Sequence, residues 1–328
     1  MAKPYLPLFA MLLGMSASAN GFDAQGHRGT RGLVAENTLA SFAKALSIGV
    51  NTLELDVGIS SDNVVVVIHN PRLEPEIVRD SNGNWLQESG AAIHSLTLVE
   101  LKTFDVGGVN PVTRYHQRFP EQVSVHGAQI PTLEEVIMLL KRSGSDRIGL
   151  NIETKLKPID THLFASPSEF VTAILDVLRS QDFLHRVTIQ SFDWRTLKLV
   201  QDMEPNIPTS YLTAQQGWMD NILVGEPGAS PWTAKYDIDD YNGSLPRMIK
   251  AAGGNIWSAY HQEVSAESIA EAHALGLVVK VWTVDDPERM LELINMGVDG
   301  IITDYPDRLI AVLKKLGMPL PTQHVVSP

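Results

Sequence analysis

The stretch Thr52-Leu53-Glu54-Leu55-Asp56-Val57-Gly58-Ile59 decides how the rest of the chain is read. Its composition is that of a β-strand, on which residues two apart share a face. Glu54 and Asp56 therefore point one way, and Leu53, Leu55 and Val57 the other. Two carboxylates aimed into one cavity repel unless a cation sits between them.

Outward from this strand, short β-type runs alternate with helix-type runs, the mark of parallel strands joined by crossover helices. The predicted strands are Phe22–Gly26, Thr52–Ile59, Val64–His69, Arg147–Ile152, Arg186–Gln190, Thr209–Leu212, Asn255–Ala259, Val278–Val284 and Gly300–Thr303. Helices are predicted at Thr38–Ile48, Leu133–Lys141, Ser168–Ser180, Trp194–Met203, Ala266–Leu275, Pro287–Met296 and Asp307–Leu316. Phe170, Ile174, Val177 and Leu178 form one apolar stripe at helical spacing, and Met290, Leu291, Leu293 and Ile294 another. With Val64–His69 set aside as a hairpin strand, eight strands remain, the count of a TIM (β/α)8 barrel of the α/β class. A doubly wound sheet also alternates, but no G-x-G-x-x-G turn follows the first strand.

Two stretches break the rhythm. Residues 71–131 carry Pro71, Pro75, Ser81-Asn82-Gly83-Asn84, Gly107-Gly108 and Asn110-Pro111 with little helical pattern, and read as a small subdomain inserted after the second strand region. Residues 213–244 hold Trp218, Trp232, Tyr236 and Tyr241 after the fifth strand, and read either as a loop shaping the active site at that end of the barrel or as a packed surface loop.

With 44% hydrophobic and 20% charged residues in 328, the chain is globular and not disordered. It has no cysteine, so disulfides, thiolate nucleophiles and sulfur-ligated metals are excluded and any metal must sit on oxygen or imidazole. The net charge of −12, with no long basic run, argues against a nucleic-acid partner.

Residues 1–19 read as a secretory signal peptide. Lys3 begins it, Leu6 to Met15 is apolar, and Ala17-Ser18-Ala19 is a small-residue cleavage site before Asn20. The apolar run is about half the roughly 20 residues a membrane span needs, so no anchor is expected after cleavage. An exported protein without disulfides suits a Gram-negative periplasm, or secretion.

Functional residues of such a barrel sit at the C-terminal ends of its strands. Those ends carry Gly26-His27-Arg28-Gly29, Glu54 and Asp56, His69-Asn70, Glu153 with Lys155, Gln190-Ser191, Trp282-Thr283 and Asp304. Glu54, Asp56 and Glu153 are spaced to form either a hard-metal site, suited to Ca²⁺ or Mg²⁺ since no ligand is soft, or a structural salt-bridge network with Lys155. His27 and His69 can each accept and donate a proton near pH 7. Arg28 suits an anionic oxygen, while Gly26 and Gly29 let a ligand approach the backbone. Asn37 is placed to cap the first barrel helix. Three carboxylates, a divalent cation, Arg28 and Lys155 together carry one positive charge, which one phosphodiester neutralises.

Taken together, these residues resemble the glycerophosphodiester phosphodiesterase family. The similar blocks run in order: Gly26-His27-Arg28-Gly29 with Glu36-Asn37-Thr38, Glu54-Leu55-Asp56-Val57, His69, and Asn151-Ile152-Glu153-Thr154-Lys155. Gln190-Ser191-Phe192, Val281-Trp282-Thr283-Val284 and Asp299-Gly300-Ile301-Ile302-Thr303-Asp304-Tyr305-Pro306 follow. The resemblance implies a barrel over residues 20–328 with an insertion after the His69 strand, and hydrolysis of small glycerophosphodiesters to glycerol 3-phosphate and an alcohol. It implies that Glu54, Asp56 and Glu153 bind the metal and that His27 and His69 act as general acid and base. Arg28 and Lys155 would hold the phosphate, with Trp282 beside the glycerol. The chain departs from many members in having Asn70 where they carry Asp, and Leu73-Glu74-Pro75-Glu76 where they carry a Leu-Asp-Arg-Thr-type run.

Two other readings compete. A lipid phosphodiesterase of the lysophospholipase D or sphingomyelinase D kind would use Trp218, Trp232 and Tyr236 along an acyl-chain path. A non-catalytic protein would capture a phosphodiester without turnover. Oligomeric state is left open by the sequence.

Overall fold

The computed structural model describes residues 21–328. The predicted signal peptide lies outside the described residues. Strands β1 (Asp23–Gly26) and β2 (Thr52–Ile59) flank helix α1 (Leu39–Ile48), and β3 (Val65–Val67) folds back antiparallel on β2, as the hairpin reading expects. The insertion holds α2 (Leu98–Leu101) and α3 (Arg114–Arg118), two short helices that the sequence pattern did not signal. The chain then runs α4 (Leu133–Arg142), β4 (Gly149–Thr154), α5 (Pro167–Ser180), β5 (Val187–Ser191), α6 (Trp194–Met203) and β6 (Thr209–Thr213). A two-residue ribbon, β7 (Gln215–Gln216) with β8 (Met219–Asp220), precedes α7 (Leu245–Ala251). It ends with β9 (Ile256–Tyr260), α8 (Ala266–Ala274), β10 (Val278–Trp282), α9 (Pro287–Met296), β11 (Gly300–Thr303) and α10 (Pro306–Lys315).

Eight parallel strands close the barrel in the order β1-β2-β4-β5-β6-β9-β10-β11, with β11 pairing back onto β1 from Asp23↔Gly300 to Gly26↔Thr303. The predicted (β/α)8 class is the observed one. The one helix missed between barrel strands, α7, is seven residues long, too short to show a periodic stripe.

Leu53, Leu55 and Val57 are buried in the layer between strands and helices, in one core with Phe42, Leu46, Val136, Ile137 and Phe170. The alternation of β2 thus sends its apolar residues outward to the helices and Glu54 and Asp56 inward. A separate apolar cluster, including Ile68, Leu73, Val78, Ile93, Leu101 and Ile130, lies largely within the insertion. Among the described residues no helix is long and apolar enough to cross a membrane.

Packing alone requires glycine at positions 26 and 29. A Cβ on Gly26 would stand 2.2 Å from the Gly29 carbonyl oxygen, and Gly29 (φ +86°) would place one 2.5 Å from Ser41 Oγ. The tight turn and its contact with α1 exclude side chains at both positions.

Leu55 is fully buried between Glu54 and Asp56. Leu55→Ala is expected to lower stability by about 2–5 kcal/mol in urea unfolding; a loss below about 1 kcal/mol would mean that this layer is not close-packed.

Candidate active site

The C-terminal strand ends converge on a cavity of about 690 Å³ lined by His27, Arg28, Glu54, His69, Glu153, Lys155 and Trp282 among others. Seven of the eight residues proposed from sequence line it. The eighth, Asp56, is fully buried directly beneath, its carboxylate meeting those of Glu54 and Glu153.

One ligand oxygen from each of Glu54, Asp56 and Glu153 lies within 4.8 Å of the others. Burial, and then repulsion from Asp56 and Glu153, push the Glu54 carboxyl well above its ordinary range. Burial also pushes Glu153 upward, against the attraction of Lys155. For Asp56 burial acts in the same direction, but Arg28 and Lys155 outweigh it and hold the carboxyl well below that range. Among the described residues Asp56 Oδ1 makes no hydrogen bond, and the Lys155 ammonium stands 3.3 Å from it. A buried acidic trio with an oxygen left without a hydrogen bond fits a hard divalent cation.

The cations are held by carboxylates. Arg28 donates from Nη1 to Glu36 Oε1 at 2.7 Å, and its Nε lies 3.1 Å from Asp56 Oδ2. Lys155 donates to Glu153 Oε1 at 2.7 Å. Glu36 was not assigned a role from sequence. Its charge brings the residues themselves, four carboxylates with Arg28 and Lys155, to two negative charges, which a divalent cation would neutralise.

Two of the nine non-glycine residues with positive φ among the described residues stand at the site. Arg28 (φ 50°) and Asn37 (φ 54°) both occupy the left-handed region, sparsely used by residues other than glycine. Three contacts fix the turn: Arg28 N–H donates to Glu54 Oε2 at 2.9 Å, Asn37 N–H donates to the Arg28 carbonyl at 3.0 Å, and Ser41 Oγ donates to the same carbonyl at 3.1 Å. The expected helix-capping role of Asn37 is corrected: Thr38 caps α1, and Asn37 Nδ2 instead donates to Asp56 Oδ2 at 3.0 Å.

Each histidine is oriented through Nδ1. His27 Nδ1 is 2.7 Å from Asp304 Oδ1; an ionised carboxylate only accepts, so Nδ1 carries the proton and Nε2 is left on the cavity side, 3.9 Å from Glu54 Oε2. Asp304 is gripped by Arg31 through Nε and Nη2, both at 2.7 Å. Burial, reinforced by Arg31 and opposed by Asp304, brings the His27 imidazole down to about 4. His69 donates from Nδ1 to Asn70 Oδ1 at 2.6 Å. Asn70 thus keeps the orienting bond of an aspartate without its charge. Burial, then Arg28 and Lys155, hold His69 well below its ordinary value.

Beneath the mouth runs a polar chain that sequence reasoning did not assemble. Gln190 donates to Glu54 Oε1 at 2.8 Å, Asn151 donates to both Gln190 and Gln25 at 2.9 Å, and Gln25 donates to Asp23 Oδ2 at 2.7 Å. Lys280 closes it on Asp23 at 2.6 Å. Asp304 and Gln190 were visible as strand-end residues, but Arg31 and Lys280 gave no signal, because their partners lie hundreds of residues away.

The remaining wall of the cavity is aromatic. Trp282 donates from Nε1 to the Ser258 carbonyl and packs edge-on against Phe192, with Trp218 and Tyr260 beside it at ring separations of 5.3–6.1 Å. Trp232 also lines the cavity, but Tyr236 packs on the barrel core, which removes it from the expected aromatic path.

This geometry defines a barrel hydrolase of the phosphoesterase class. The model of the glycerophosphoryl diester phosphodiesterase family matches residues 27–308, and the chain belongs to that family. A glycerophosphodiester phosphodiesterase from Caldanaerobacter subterraneus is 28% identical over 291 residues, 89% of this chain and 97% of its own. A crystal structure from Silicibacter pomeroyi, of a protein assigned to the same activity by its name, superposes with a TM-score of 0.81 at 36% identity and covers 93% of this chain and 97% of its own. An Oleispira antarctica phosphodiesterase solved with its product sn-glycerol 3-phosphate shares the fold, with a TM-score of 0.65 at 23% identity, over 91% of this chain and 99% of its own.

His27 is brought to about 4 from an ordinary 6.5, so between these values the unfolded chain binds the extra proton and stability rises with pH. Stability in chelator is therefore expected to fall as pH drops from about 6.5 to 4, by on the order of 3 kcal/mol from this residue. Urea midpoints across that range check it: His27→Asn is expected to flatten the slope, and an unchanged slope would refute the assignment.

Proposed function

We propose that the protein hydrolyses glycerophosphodiesters to glycerol 3-phosphate and an alcohol, with a divalent cation on Glu54, Asp56 and Glu153 and with His27 and His69 as the acid–base pair. The observation that carries the reading is the pairing of two Nδ1-anchored histidines with a buried carboxylate trio at one barrel mouth. The family and the names of the relatives support the substrate class.

A bound cation supplies stabilisation of charge on the non-bridging phosphoryl oxygens. Arg28 and Lys155 bind the phosphoryl group from beside the trio, exchanging part of their carboxylate contacts for phosphate oxygens. Because Asp304 and Asn70 hold Nδ1–H, each histidine has Nε2 for proton transfer. One, with Nε2 bare, takes a proton from the attacking hydroxyl; the other enters the step as an imidazolium, its Nε2 proton taken up from solvent as the anionic phosphodiester binds, and gives that proton to the alkoxide as the bond from phosphorus to the alcohol oxygen breaks. The attacking group is water, or the glycerol 2-hydroxyl followed by water through a cyclic phosphate; ³¹P NMR during turnover separates the routes. Trp282 borders the glycerol end.

Chelator-stripped protein with glycerophosphoglycerol is expected to release glycerol 3-phosphate only on adding Ca²⁺ or Mg²⁺. Glu54→Gln should lower the rate at least 100-fold, and His27→Ala and His69→Ala each by about 10²–10⁴. No release with either cation, or full turnover in both histidine variants, would sink the reading.

Glu54 and Glu153 compete for protons and cation alike, so the rise in Tm on adding Ca²⁺ or Mg²⁺ is expected to grow from pH 5 to pH 8. Calorimetry with Glu54→Gln as control checks this, and a shift independent of pH and of Glu54 would place the cation elsewhere.

A lipid substrate is the second reading, favoured by Trp218, which lines the cavity yet is 61% exposed. Faster turnover of lysophosphatidylcholine than of glycerophosphocholine would support it. The charged start, apolar run and small-residue site of residues 1–19 support export to the periplasm or medium.

A further inference from the structure

The cations at the mouth divide into two sets. Arg28, Arg31 and Lys155 are each engaged by carboxylates, Arg28 by Glu36 and Asp56, Arg31 by Asp304, and Lys155 by Glu153 and Asp56. Arg118 and Lys157 line the same cavity, and among the described residues neither has an ion pair. The acidic residues of the lining are Glu54 and Glu153, both committed to the proposed metal site. In a chain with net charge −12, two uncompensated cations facing one cavity run against the composition.

Both are exposed. Lys157 follows β4 in the segment whose residues Lys155, Leu156 and Lys157 all line the cavity. Arg118 closes α3, and its guanidinium stands over the ring of Phe119, 5.2 Å from the centroid. Phe119 is itself buried, with Arg31 on it at 4.8 Å. The insertion therefore delivers Arg118 to the cavity on a ring packed against the catalytic loop.

We propose that Arg118 and Lys157 form an anion subsite for the leaving alcohol, so that the preferred substrates are glycerophosphodiesters whose alcohol bears a further negative charge. This rests on the hydrolytic reading above and specifies its substrate class. The trio, a divalent cation, Arg28, Lys155 and Glu36 sum to zero, so the phosphodiester alone already brings the inner site to one negative charge. A second anionic group needs cations outside that set. The glycerol end then meets Trp282 and the alcohol end Arg118 and Lys157, all of which line the one cavity. A cationic alcohol such as choline meets like charge there, and no lining carboxylate offsets it.

The test compares kcat/KM for three diesters with choline, glycerol or glycerol phosphate as the alcohol. Wild type is expected to favour the phosphate-bearing alcohol over choline at least tenfold. Arg118→Gln with Lys157→Gln should cut the ratio of phosphate-bearing to glycerol substrate at least tenfold, and Arg118→Glu with Lys157→Glu should invert the order toward choline. Arg114→Gln, an exposed cation on the same helix outside the cavity lining, is the control for the general field. An equal fall on all three substrates, an unchanged ratio, or an equal effect of Arg114→Gln would overturn the subsite. Calorimetric affinities for the three diesters in chelator read the same ratios without turnover. Absence of hydrolysis of glycerophosphoglycerol by wild type with either cation would count against the hydrolytic reading, while those affinities still decide the subsite.

Discussion

Burying three carboxylates within 4.8 Å of one another is the constraint on which the barrel mouth is organised. Desolvation and mutual repulsion both oppose their charge, and each contact around them offsets part of that cost. Arg28 and Lys155 face Asp56, Asn37 and the Arg28 amide donate to carboxylate oxygens, and Gln190 supports Glu54 from below. The left-handed backbone at Arg28 and Asn37 follows from the same demand, since the turn must present both a peptide N–H and a guanidinium to the trio.

Support for the trio extends down the barrel axis. From Lys280 and Asp23 through Gln25, Asn151 and Gln190 to Glu54, polar side chains fill the space that aliphatic layers occupy in many barrels of this class. Each amide is oriented by its neighbour below, so the position of Glu54 is determined from the far end of the sheet as well as from the mouth. Within it Asn151 Oδ1 is buried without a hydrogen bond among the described residues, while the other amides are paired at both ends.

The fold was legible because its signals are local. The Glu54/Asp56 alternation, the β–α rhythm and the amphipathic stripes each span a few residues, and the exceptions, α2, α3 and α7, are too short to establish a period. The candidate site was legible where strand ends bear chemistry, as at His27, His69 and Glu153. It was illegible where the chemistry is a pairing: Arg31 with Asp304, Arg28 with Glu36 and Lys280 with Asp23 are set by barrel closure. Asn37 misled for a related reason, because a capping residue and a buried amide donor look alike in sequence, and Thr38 beside it took the cap.

Barrel closure has a temporal consequence. His27 and Asp304 are separated by 277 positions, and β1 is clasped on one side by the last strand, β11. The imidazole cannot acquire its orienting carboxylate until the final β-strand has been synthesised and docked, and closing so long a loop is among the slower events in folding. Whatever sequence of intermediates precedes it, a chain emerging from the ribosome carries an unoriented His27 until then. The orienting contact therefore arrives with the last β/α unit.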